Sequence, residues 1–333
     1  ALARGEIGGA AAALRKALER GPPLFVRQDL ELTLARSLQR DGRDAEALAV
    51  WRSLLEQFPE EATIVNEAGG ALLQAGEHAA AREVFRGLAE SPGLDSFSAM
   101  QARVRLAQIA EMEGEVDRAL EILHACVRQT DPAGWLHRDL RARLEGLYRA
   151  HGRVNELEAH YRARIGERGR DLEAAAGLAR LHRTAHNYEE EAHWRAKAAE
   201  WAPGRPELLR QLAGARMRAR QYAQARTALE AYLEERPDDA GARRLLGTAL
   251  WELAQSGGGE PEALRAAAIR AWESHAAALG GARGKLELAR LLRSHELDER
   301  AHAAYREAVQ AEPRQAGPRL ELAAYLRGLG RET

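Results

Sequence analysis

The stretch HELDERAH, residues 295–302, holds two histidines among several carboxylates, which are the raw materials of a zinc site. A hydrolytic zinc helix needs two histidines four residues apart on one face. His295 and His302 are seven apart, so the segment reads as a turn with solvated side chains. His182 and His186 do have the four-residue spacing, and His193 follows. Their places in the pattern described below put His182 in a packed slot and His186 in a turn, so no metal and no cofactor is expected. Cys126 is the single cysteine, which excludes an intrachain disulfide framework. It occupies an alanine-like packing slot and reads as an inert buried thiol. Glu189, Glu190 and Glu191 read as the acidic first turn of a helix, where the dipole favours them. There is no phosphate-binding glycine loop, nucleophile elbow or paired-cysteine motif, so no catalytic residue is expected.

The elements that position these residues repeat. Windows starting at Gln28, Ala62, Met100, Arg138, Leu172, Pro206, Ala240, Ala282 and Ala316 are spaced by 34, 38, 38, 34, 34, 34, 42 and 34 residues. The longer spacings read as loop-sized insertions. Each window reads as two helices. The first carries a leucine, for example Leu34, Leu106 or Leu178, followed by a small residue such as Ala35, Gly69, Ala179 or Gly247. Glu145 interrupts that rule, which predicts looser packing in its window. A turn follows, with glycine at 42, 76, 114 and 152. Then come a small residue and, one helical turn on, a large one: Ala47 and Trp51, Ala81 and Phe85, Ala268 and Trp272. A proline closes many windows, including Pro59, Pro92, Pro203, Pro237 and Pro313. The window from Arg138 has Leu157 in the small slot, and the register around His186–Ala192 is open by one residue.

This pattern resembles the tetratricopeptide repeat over essentially the whole chain. The resemblance implies an all-α fold, a right-handed α-solenoid of stacked antiparallel helix pairs. It also implies that first helices line a concave groove and second helices form the convex back. One solenoid over residues 1–333 is expected, with 1–22 as the second half of a repeat. Gly5 would be its turn, and Ala10 and Leu14 its packed face. Residues 316–333 would form a partial repeat. Both ends fall inside a repeat, so the chain reads as a segment of a longer, bacterial protein. In the inserted stretches, QSGGGEP (255–261) reads as a flexible loop. TDPAGWLH (130–137) places Trp135 in a turn, packed under a neighbouring repeat.

The bulk numbers narrow the function. Apolar residues are 45% and charged residues 30%, so the chain can bury a core and stay in solution. A net charge of −1 and the lack of an aromatic stacking ladder argue against nucleic acid. No apolar run is long enough to insert in a membrane. Arginine far outnumbers lysine, which occurs only at 16, 197 and 285, and this reads as GC-rich coding. On the unpacked face of the first helices, arginines outnumber acids. The binding candidates are Arg36, Arg105, Arg143, Arg180, Arg210, Arg244 and Arg290, whose planar forks suit carboxylates and phosphates. The expected function is a non-catalytic scaffold that takes a protein or peptide ligand, acidic or phosphorylated, in that groove. The competing expectation is that these arginines pair with neighbouring glutamates. A second class of function is the recognition arm of a larger enzyme (a transferase, a hydrolase or a multihaem protein). End-to-end self-association through uncapped helix faces is a third.

Overall fold

The computed structural model describes residues 4–91 and 96–330, with side chains from residue 9. Pro92, one of the expected closing prolines, lies outside the described residues. All regular structure among them is helical. The chain divides into two compact units, residues 1–154 and 155–333.

In the first unit, α1 (Arg4–Leu18), α3 (Asp44–Gln57), α5 (His78–Glu90) and α7 (Val116–Arg128) are second helices of their pairs. They alternate with the first helices α2 (Leu24–Arg40), α4 (Ala62–Gln74), α6 (Ser96–Met112) and α8 (Trp135–Ala150). Each of these helices packs on the next along the chain, and short connections make such neighbours antiparallel. First helices of successive pairs therefore run the same way. In the second unit, the second helices are α9 (Val154–Arg168), α11 (Tyr188–Trp201), α13 (Tyr222–Glu235), α15 (Pro261–Leu279) and α17 (Asp298–Ala311). The first helices are α10 (Leu172–Thr184), α12 (Pro206–Arg218), α14 (Ala240–Gln255), α16 (Gly281–Ser294) and α18 (Ala316–Gly328).

The seam between helices follows the repeated letters. Ala47, Ala81, Ala119, Ala225, Ala268 and Ala301 are buried, and so are Trp51, Phe85, Leu123, Leu229, Trp272 and Tyr305. Small residues of the first helices let these rings lie against backbone. A β-carbon added at Gly69 would stand 2.5 Å from the Phe85 ring, and one at Gly247 would stand 2.4 Å from the Trp272 indole. Burying a side chain of this size stabilises by roughly 1.5–3 kcal/mol relative to exposure, so the seam holds the two helices of each pair together. In α1 the buried alanine is Ala11, not Ala10, and Gly5 lies within the helix rather than in a turn. Leu14 packs on the first unit's core as expected.

Two seams depart from the pattern. Glu145 is buried, with Arg141 Nε 3.8 Å from its carboxylate, so an ion pair stands where a small residue was expected. In the window from Leu172, Glu191 takes the alanine slot with 0% exposure, and Arg195 takes the slot of the large apolar residue. Arg218 of α12 donates to both Glu191 oxygens, at 2.6 and 2.9 Å, and Arg195 donates to Gln211 at 2.5 Å. Burial pulls the Arg195 guanidinium below its usual value. Glu191 opposes that shift, and Arg180, Arg218 and Arg183 add to it.

The four-residue surpluses before the Met100 and Arg138 windows are mostly helix, although the connection 129–134 is also longer than 58–61. They lengthen helices: α6 has 17 residues and α8 has 16, against 13 in α4, α10 and α12. The turns expected at His186 and within 295–302 are present without glycine. His186, Arg220 and Glu296 take the left-handed conformation, at φ 58°, 57° and 58°, that Gly42, Gly76, Gly114 and Gly152 take elsewhere.

A left-handed residue with a side chain costs on the order of 1 kcal/mol. Arg220→Gly relieves this but adds freedom to the unfolded chain. The expected net gain is about 0.5 kcal/mol, read as a higher urea midpoint. For the charged seam, Glu191→Ala leaves arginines facing buried surface and lowers stability by roughly 2 kcal/mol, a figure reduced because Arg218 remains partly in solvent. Glu191→Ala combined with Arg195→Leu restores the regular seam and recovers that loss in the same urea titration. Equal losses for the single and double variants would contradict this account.

Candidate functional site

The first helices of each unit present the candidate arginines, and their surroundings differ. Arg36 of α2 donates to Glu67 of α4 through two nitrogens, with Nε at 2.8 Å, and this hydrogen bond raises its pKa above the usual arginine value. Arg290 of α16 forks in the same way onto Glu321 of α18, at 3.0 and 2.6 Å, with the same effect. Arg210 lies 3.6 Å from Asp239, and Arg244 lies 3.6 Å from Glu287. Arg180 lies near Arg195 in the charged seam. Arg143 pairs with Asp139 of its own helix at 2.8 Å. Arg105 donates to the Gln108 amide oxygen at 3.0 Å and has no carboxylate partner among the described residues. Surface pairs of this kind contribute about 0–1 kcal/mol each, so their effect is mainly to use up hydrogen-bonding capacity on the face.

Arg105 and Arg143 border an open cleft of about 460 Å³ in the first unit. It is lined from three first helices, by Asn66 of α4, by α6 residues and by α8 residues. Buried Met100 and Leu140 contribute to its apolar lining. At one end stand Phe97 and Trp135, with ring centroids 5.7 Å apart and planes tilted by 55°. Trp135 is 61% exposed and Phe97 39%. This corrects the expectation that Trp135 packs beneath a neighbouring repeat. Asp131 and Gly134 close a turn ahead of it, and Trp135 then opens α8 with its indole outward. Both rings sit on the additional first turns of α6 and α8. Sequence reasoning missed the pair because it placed those turns in loops.

The histidines and the cysteine are structural. His182 is buried, and His186 bonds the Tyr188 hydroxyl at 2.7 Å. His295 is not simply solvated. It stacks on Trp272, with centroids 4.6 Å apart, beside Trp251 at 5.1 Å, and burial lowers its pKa. His302 lies over Tyr325. Cys126 is buried, and burial raises its thiol pKa. Glu189, Glu190 and Glu191 do form an acidic first turn, that of α11. Among the described residues, no three histidine, cysteine or carboxylate side chains come together as a metal site. Nor is any described helix long and apolar enough to cross a membrane.

Among curated proteins, none matches this sequence. Of solved structures, the C-terminal part of a TPR repeat-containing protein from Cytophaga hutchinsonii is similar at 13% identity, covering 86% of this chain and 97% of that one, with a TM-score of 0.40. A tetratricopeptide repeat protein from Parabacteroides merdae is similar at 14% identity, covering 80% and 98%, with a TM-score of 0.37. The TPR2AB domain of yeast Sti1, solved as a complex with pHSP90, is similar at 14% identity, covering 84% and 98%, with a TM-score of 0.32. The tetratricopeptide repeat family model matches residues 32–99 and 210–276. That match falls once in each unit, and the helices within each unit pack in succession as in a tetratricopeptide-repeat fold, which suggests a scaffold for protein or peptide partners.

Proposed function

We propose that this chain is a non-catalytic scaffold that holds an acidic segment of another protein against the first-helix face of its first unit. The supporting observation is the open cleft across α4, α6 and α8, with an arginine on each of its two longer walls. Among the described residues, Arg105 has no carboxylate to release before it meets a partner's, and Arg143 shares only Asp139. By contrast, Arg36 and Arg290 are already forked onto glutamates, and an acidic ligand must displace these. The cleft arginines therefore supply the charge-assisted hydrogen bonds, and the ladder elsewhere keeps the face in order.

The test is capture from cell lysate by the chain and by an Arg105→Glu, Arg143→Glu variant of equal helicity. The expected result is a partner whose capture is lost on charge reversal. Because exposed charges are screened within about 8 Å at physiological salt, capture also weakens several-fold on raising salt to roughly 0.5 M. Identical capture by both proteins, unaffected by salt, overturns the reading.

A further inference from the structure

The chemistry of the two cleft walls runs in step. Along α6, Phe97, Gln101 and Arg105 follow one another at intervals of four residues, and along α8 so do Trp135, Asp139 and Arg143. Residues four apart lie on the same helix face. The two helices are first helices of successive pairs and run in the same direction. The walls therefore match end to end: aromatic against aromatic, polar against polar, arginine against arginine. The cleft has an apolar end, a polar middle and a cationic end.

The apolar end is an addition to the repeat. Phe97 and Trp135 each stand three residues before the regular window start, on turns that α4, α10 and α12 lack. Phe25 holds the same place on α2 and is 72% exposed. An exposed aromatic at one repeat position on three first helices is not needed by the core, which the buried rings already fill. The side chains of Asn66 and Gln101 have no hydrogen-bond partner among the described residues and can serve a ligand's backbone in the middle of the cleft.

The separation of the ends is set by helix geometry. Eight residues at 1.5 Å rise place the aromatic and arginine ends about 12 Å apart. An extended chain advances about 3.3 Å per residue, so three to four residues span that distance. Consecutive side chains of an extended strand point to opposite sides, one toward each wall.

Resting on the reading that this face binds a protein segment, we propose that the cleft recognises a two-part signal in its partner. One aromatic side chain lies on Phe97 and Trp135, and an acidic pair three to four residues away meets Arg105 and Arg143. The signal is internal to the partner chain and needs no terminal carboxylate. The stacked rings supply most of the affinity, and the arginines select the acidic neighbours.

The test uses fluorescein-labelled peptides, capped at both ends, in which a phenylalanine and two glutamates are separated by a varied number of serines, in both chain directions. Fluorescence polarisation against the whole chain reads affinity. The expected result is a maximum at two to three intervening serines, with about tenfold weaker binding for the shortest and longest spacers. Trp135→Ala, which removes an exposed ring, abolishes the preference for phenylalanine over alanine. Arg105→Gln with Arg143→Gln abolishes the preference for glutamate over glutamine. Affinity that does not depend on spacing, or no binding tighter than about 1 mM, overturns the inference. If lysate capture is still lost on charge reversal in that case, the function proposed above stands and only the two-part signal fails. If capture is unchanged as well, both fail.

Discussion

Two helices meeting at a glycine or alanine, with a large ring of one lying against the backbone of the other, is the contact on which the rest of this protein depends. Gly69 beneath Phe85 and Gly247 beneath Trp272 show how little room is left. A pair of helices has only one such contact of its own and leaves its remaining apolar surface bare, so the next pair must cover it. Everything else on the molecule is free to vary once that contact is kept. The charged seam at Glu191 and Arg195 shows the alternative: where the alanine and the ring are both lost, a buried carboxylate must recruit Arg218 from the following helix.

Much of this was legible in the sequence because the repeat period is rigid. The windows starting at Ala62, Leu172, Pro206, Ala240 and Ala316 begin at the residues where α4, α10, α12, α14 and α18 begin. The slots for Trp51, Phe85 and Trp272 predicted burial correctly. The surplus residues were misread for a physical reason. Proline, glycine, aspartate and serine near Phe97 and Trp135 mark a break, but a helix can resume immediately after one, and composition does not say where. Trp135 was therefore given a packed site when it opens a helix. The turns at His186 and within 295–302 were legible, but the left-handed backbone of His186, Arg220 and Glu296 was not, because only glycine announces that conformation.

The candidate arginines could be named from the sequence, but their individual partners were not assigned. Arg36 with Glu67, Arg82 with Glu113 and Arg290 with Glu321 are each separated by 31 residues, three short of the repeat period. That interval joins neighbouring repeats and can be read from the sequence once it is known. For Arg105 it leads to Leu136, or to Leu140 if the added turn is allowed for, and neither is an acid. An arginine without an acid from the next repeat is thus identified by what that repeat fails to supply.

The lengthened α6 and α8 have a consequence for how such an array can change. Their extra turns carry Phe97 and Trp135 at the surface, and of the residues on them only His137 is buried, against Thr130. Four residues extend an edge by about 6 Å. An overhang of this kind lets a repeat protein deepen one rim locally while the stack behind it stays the same. Growth at helix starts can therefore add a surface while the rings of the seam keep their places, with a single buried side chain, His137, to be accommodated.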